Sequence, residues 1–168
     1  MLDQKLPRPS MGGAWKLARE FNLPVLVIAD LHLDLWLDAR HDPLAAVAPA
    51  TWDRLDALII AGDLANKPKV RWPLMLRHMG RYLPLDRVYV VPGNHDYYHH
   101  VLDGDDRLAD MAQVAGANFA QKSEIVVGDH RFLCCTLWTD FRLGSDRPAA
   151  MQNVRARMNV KRRGKVTP

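Results

Sequence analysis

Three short polar clusters carry side chains of the kind that hold divalent cations: Asp30-Leu31-His32, Gly62-Asp63 and Gly93-Asn94-His95-Asp96. Carboxylate, imidazole and amide donors together suit Mn²⁺, Fe²⁺ or Zn²⁺ better than Ca²⁺. On an extended backbone, positions i and i+2 face the same way, so Asp30 and His32 would converge on one ion. Asp63 follows a glycine that permits a sharp turn, and its two oxygens can bridge two cations. Asn94 offers a neutral, hard oxygen, and His95 beside it could reach a phosphoryl group. Singly, each cluster has an ordinary reading. Asp-x-His is frequent, Gly-Asp is a common turn pair, and Gly-Asn-His-Asp makes an Asx-type turn with a surface histidine. Their regular order sets them apart: 33 positions separate Asp30 from Asp63, and 31 separate Asp63 from Asn94.

The elements that must position these clusters are legible as apolar runs. Pro24 to Asp30, which ends in the carboxylate of the first cluster, Leu58 to Ala61 and Val88 to Val91 are short continuous apolar stretches, and each leads directly into one cluster. Such runs read as buried strands with functional residues at their carboxyl ends. Between the second and third, Val70 to Leu83 has apolar residues near helical spacing. Leu102 to Ala115 reads as a further helix, with Gly116 as its stop. Strands alternating with helices predict an α/β fold with adjacent, largely parallel strands, whose ligands gather beyond the carboxyl ends. The period then changes. Glu124 to Val127 and Arg131 to Thr136, around Gly128-Asp129-His130, predict a β-hairpin. Leu137 to Pro148 reads as a loop, and Ala149 to Met158 as a helix. Leu33 to Asp56 reads as a loop or cap segment.

Composition restricts the class. With 168 residues, 48% hydrophobic and 25% charged, the chain is built like an ordinary globular domain. No apolar run reaches the roughly 18–20 residues of a membrane span, and no membrane partner is expected. Residues 1–22, broken by Pro7, Pro9, Gly12 and Gly13, read as an N-terminal extension with a short helix at Ala14 to Phe21; residues 23–168 read as the domain. The extension lacks the apolar core of a secretory signal. Cys134 and Cys135 are adjacent, which argues against a disulfide framework and for a reducing, cytoplasmic compartment. Six basic residues between Arg155 and Lys165, with no acidic one, form either a polyanion patch or a solvated tail. No aromatics interleave with them, so a stacking surface for single strands is not supported.

The series D-x-H, G-D, G-N-H-D in this order resembles the calcineurin-like metallophosphoesterases. Tyr97-Tyr98 strengthens the likeness, and Leu133-Cys-Cys-Thr-Leu-Trp-Thr-Asp-Phe141 resembles a segment of a bacterial and phage-type branch. The resemblance implies an α/β fold of the metallophosphoesterase type, a β-sandwich flanked by helices, and a hydrolase of phosphate mono- or diesters that uses a two-metal-activated water. It implies that Asp30 and His32 bind a first metal, that Asp63 bridges, and that Asn94 binds a second metal. His95 would be catalytic, stabilising the phosphoryl oxygens or protonating the leaving group. The implied cofactors are two divalent ions (Mn²⁺, Fe²⁺ or Zn²⁺), and the implied partner is a phosphoester substrate, with nucleic acid only as a substrate candidate.

The family pattern continues with a later histidine and a Gly-His-x-His element, which complete both metal sites. After His95 this chain has only His99, His100 and His130. The first two read as a solvated helix start and the third as a surface residue of the hairpin turn. The expectation is therefore a domain incomplete at its C-terminus, with impaired activity. The alternative is a non-catalytic remnant that folds or binds a partner without turnover.

Overall fold

The computed structural model describes residues 25–157 except 99, 102 and 145, together with 161–162 and 165–166; side chains are described up to 154. The expected extension and its helix, like the basic run from Arg155, lie outside the residues whose side chains are described.

Three of the strands form where the apolar runs place them: β1 (Val25–Ala29), β2 (Ala57–Ala61) and β3 (Val88–Val91). With β4 (Asn118–Phe119) they make one parallel sheet in the order β1-β2-β3-β4. Val25 lies beside Ala57, and Leu58 beside Val88. Parallel strands need crossovers, and helices supply them. The β1–β2 connection contains α1 (Leu33–Asp38), a 3₁₀ turn (Pro43–Ala46) and α2 (Pro49–Trp52), where the sequence suggested a loop. These elements are too short for periodicity to show. α3 (Pro68–Met79) joins β2 to β3, and α4 (Asp105–Ala115) joins β3 to β4.

Side-chain alternation along the strands divides the interior into two layers. Leu58, Ile60, Val88 and Val90 face the helices, packing with Trp72, Leu76 and Met79 of α3 and Leu108 and Ala112 of α4. Each fully buried Leu or Ile contributes about 1.5–3 kcal/mol. Ile59 and Val91 face the other way, onto Ala120 and Ile125. That second layer is the antiparallel hairpin of β5 (Ser123–Val127) and β6 (His130–Cys134), with Val127 opposite His130. The turn is thus Gly128-Asp129, and His130 belongs to the strand. Two sheets face to face with helices outside is the arrangement the family resemblance implied. The hairpin covers part of the face only: Val27 on β1 stays 51% exposed.

Helix ends follow local chemistry. α4 starts three residues later than periodicity suggests, because Gly104 N–H closes a turn onto the Val101 carbonyl (3.1 Å) and Asp105 and Asp106 then favour the helix N-terminus. It stops at Gly116, whose φ of 90° suits glycine. α5 (Arg147–Arg157) starts earlier than expected, since Asp146 Oδ1 accepts the Ala149 N–H (2.9 Å). Lys161–Arg162 and Lys165–Val166 pair as a small antiparallel ladder.

One polar staple holds the β1–β2 connection to α3. Asp42 accepts the Leu44 N–H (3.0 Å) and the Tyr82 hydroxyl (2.6 Å), and meets His78 Nε2 at 2.6 Å. Burial pulls the Asp42 carboxyl up, but the bonds from Tyr82 and His78 prevail and hold it below its ordinary value.

Candidate metal centre

The strands of the main sheet run parallel, so Asp30, Asp63 and Asn94 all fall beyond its carboxyl edge. They line one cavity of about 310 Å³. The convergence does not arise from an extended Asp30-Leu31-His32. Asp30 and His32 have φ of 49° and 42°, and Asp63 has 53°, all in the left-handed region. Period-two reasoning therefore fails at this point. His32 instead precedes α1, and the first two loops are tied by backbone bonds, His32 N–H to the Asp63 carbonyl (2.7 Å) and Leu33 N–H to the Leu64 carbonyl (3.0 Å). Left-handed backbone at non-glycine residues costs of order 1–3 kcal/mol each and clusters at functional sites.

Asp63 is the hub. It is 4% exposed. Its Oδ1 accepts the His95 N–H (2.8 Å), and its Oδ2 lies 3.7 Å from His32 Nε2. Gly93 is required by proximity: a Cβ there would sit 2.1 Å from Asp63 Oδ1. The glycine of the third cluster thus makes room for the carboxylate of the second.

His95 and Asn94 are oriented by neighbours that spacing alone did not reveal. His95 Nδ1 meets Asn66 Oδ1 at 2.9 Å. With that oxygen as acceptor, Nδ1 carries the proton and Nε2 remains for chemistry. Asn66 is itself placed by Asp34, a buried residue of α1 whose Oδ2 accepts the Asn66 N–H (3.3 Å). Asn94 donates through Nδ2 to the Tyr98 hydroxyl (3.3 Å), so its amide oxygen is the side-chain atom with lone pairs to offer a cation. The Tyr98 ring lies 4.4 Å from that of His95.

Asp96, the last residue of the third cluster, clamps the second and third loops together. It is fully buried. Oδ1 accepts from Ala65 N–H (3.1 Å) and the Trp72 indole (2.9 Å); Oδ2 accepts from Gly93 N–H (2.8 Å) and Leu64 N–H (3.3 Å). Burial pushes its carboxyl up to about 6, against the pull of these donors. Asn66 had no readable signal, and Asp96, visible as the last residue of its cluster, gave no sign of its clamping role, because long-range bonds such as these impose no sequence period.

The residues fit a cation. His32, Asp63 and His95 offer ligand atoms all within 4.8 Å of one another, close to the roughly 4 Å that two ligand bonds span. His32 Nδ1 is buried with no protein partner, and Asp30 and Asn94 add oxygens from the same cavity. The resemblance assigned His95 to phosphoryl contact; the geometry also groups it with possible ligands, and either role would use Nε2.

Among the described residues, His100 and His130 do not belong to this cluster. His130 is exposed on β6, and His99 lies outside the described residues. His100 is a correction to the sequence reading: it is 4% exposed, not solvated. Its Nε2 meets the Gly104 carbonyl at 3.3 Å, folding the ring under the turn before α4.

The comparisons agree with this architecture. No curated protein matches the chain at a significant level. Among solved structures, the chain is similar to phosphopantetheinyl hydrolase from Mycobacterium tuberculosis, with 20% identity and a TM-score of 0.51. That match covers 86% of this chain and 55% of the neighbour, so the chain spans just over half the neighbour's length. Among the described residues, no helix is long and apolar enough to cross a membrane. The family model of calcineurin-like phosphoesterases matches residues 23–146, and the chain belongs to that family.

Proposed function

We propose that this chain hydrolyses phosphate mono- or diesters, with Asp30, His32, Asp63 and Asn94 holding two divalent cations and His95 acting on the phosphoryl group. The observation that carries the reading is Asp63: a buried carboxylate with separate surroundings for its two oxygens, in a cavity shared with Asp30 and Asn94. Family membership supports the reaction class. Phosphopantetheinyl hydrolysis, named for the neighbour, enters as one substrate candidate only.

Each protein group has a separate task. Asp30 and His32 would hold one cation, Asn94 the other, and Asp63 would contact both. Bound there, divalent cations would supply Lewis acidity to phosphoryl oxygens and to water. Asn66 keeps the proton of His95 on Nδ1, so that Nε2 faces the reacting oxygens. Protonated, His95 hands a proton to the leaving alkoxide. Tyr98 holds the Asn94 amide in its donor orientation.

The test pairs two substitutions. Asp63→Asn lowers bound Mn²⁺ per chain more than His95→Ala does, whereas His95→Ala keeps metal and loses hydrolysis of bis(4-nitrophenyl) phosphate. Equal metal content in both variants removes the bridging role. Loss of one ion in His95→Ala makes His95 a ligand instead.

A further inference from the structure

The cavity has a second wall that the metal chemistry does not use. The segment after β6, Cys135 to Trp138, lines the same space as Asp30, Asp63 and Asn94. It is fixed in place at both ends. Thr136 N–H donates to Gln121 Oε1 (2.8 Å), Gln121 Nε2 donates to the Thr136 hydroxyl (2.9 Å), and that hydroxyl donates to the Pro92 carbonyl. Pro92 immediately precedes Gly93-Asn94, so the wall is bolted to the loop that carries a proposed ligand. Trp138 is held by its ring: it lies 5.7 Å from the Tyr97 ring, tilted by 57°. Tyr97 in turn is 1% exposed, and its hydroxyl donates to Asp105 (2.6 Å). Trp138 nevertheless remains 44% exposed and Leu137 89% exposed. An indole that is held by a neighbouring ring, lines the cavity and is still 44% exposed can serve as a stacking platform.

The electrostatics narrow the ligand further. The residues lining this cavity include two carboxylates and no lysine or arginine. A chain of phosphates would meet no protein cation there. A single phosphoryl group at the carboxylate end, joined to a planar apolar body at the tryptophan end, matches both walls.

We infer that this site takes phosphoesters with a single phosphoryl group and a planar aromatic ring, the ring stacking on Trp138. The inference rests on the phosphoesterase reading and names the substrate class for it. Stacking of a ring on an aromatic side chain is worth about 1–3 kcal/mol, or roughly 5- to 150-fold in affinity.

Two non-hydrolysable ligands with the same head group separate the ideas: phenylphosphonate and ethylphosphonate, titrated calorimetrically into the full chain with saturating Mn²⁺. The wild-type chain is expected to bind phenylphosphonate about tenfold more tightly. Trp138→Leu keeps apolar bulk without a ring and brings the two ligands within about twofold of each other. Trp138→Phe retains most of the preference and shows that the wall still folds. Equal affinities in the wild type, or a ring preference that survives in Trp138→Leu, overturn the stacking inference alone. If neither phosphonate binds, the phosphoesterase reading falls and the inference falls with it.

Discussion

Replacing Asp96 with asparagine tests whether the loop clamp shapes the metal centre. The carboxylate accepts four hydrogen bonds, two on each oxygen. An amide has one oxygen and one NH₂ group. In either orientation the NH₂ meets two donors: Gly93 and Leu64 on one side, or Ala65 and the Trp72 indole on the other. Two buried donors left unsatisfied cost about 1–3 kcal/mol each. Removing the charge works in the opposite direction. A carboxyl held at about 6 rather than 3.8 has its ionised form disfavoured by about 3 kcal/mol net of its donors, at 1.36 kcal/mol per pKa unit. The two effects nearly offset at the low end and leave a loss of about 3 kcal/mol at the high end. With a slope near 2 kcal/mol per molar urea, the midpoint falls by up to about 1.5 M. Metal affinity is the sharper readout, because the NH₂ pushes apart the backbone segments that carry Asp63 and Asn94. Mn²⁺ affinity, measured by calorimetry on the folded variant, is expected to fall at least about tenfold, or 1.4 kcal/mol. An Asp96→Asn chain with wild-type Mn²⁺ affinity would show that the loops hold their positions without the clamp.

Gly93→Ala places a Cβ where Asp63 Oδ1 now sits and is expected to cut Mn²⁺ binding by at least about tenfold; Gly80→Ala, whose nearest neighbour lies at 3.4 Å, serves as control. Asn66→Ala frees the His95 ring and is expected to spare metal content while lowering turnover by on the order of 10–100-fold; unchanged turnover refutes the positioning role. Asp42 supplies a pH prediction. Its folded pKa lies below the ordinary 3.8, so its stabilisation is present above that value and is lost as pH falls through the folded pKa. Thermal scans from pH 5 to about pH 2.5 should therefore show a steeper acid loss in the wild type than in Asp42→Asn; parallel curves refute the assignment.

How much of this was legible depended on length and period. β2 and β3 could be read because parallel strands covered on both faces are continuous apolar runs, and β1 is such a run too although Val27 on its outer face stays exposed. β4 could not: Asn118-Phe119 is two residues long, and its place comes from pairing with Tyr89 and Val90. α1 and α2 were hidden by brevity, and α2 begins at a proline, which reads as a break. At the site, the location of Asp30, Asp63 and Asn94 beyond the strand ends followed from the runs preceding them. The local conformation did not, since nothing in Asp30-Leu31-His32 announces a left-handed backbone. The supporting residues Asp34, Asn66 and Asp96 act mainly through bonds to residues about 24–32 positions away, and only the folded chain brings those partners near.

The left-handed backbone at positions 30, 32 and 63 also bears on how the chain can vary. Apart from glycine, aspartate, asparagine and histidine enter that region at the least cost, their frequency there being several-fold enriched. The same short set supplies nitrogen and oxygen donors for borderline cations. Conformational and chemical filters thus coincide at these three positions. A random replacement there is opposed twice, once by the main chain and once by the lost donor. The replacements the backbone accepts most readily still carry a donor atom, so this corner of the sequence should drift among ligands before it drifts away from them.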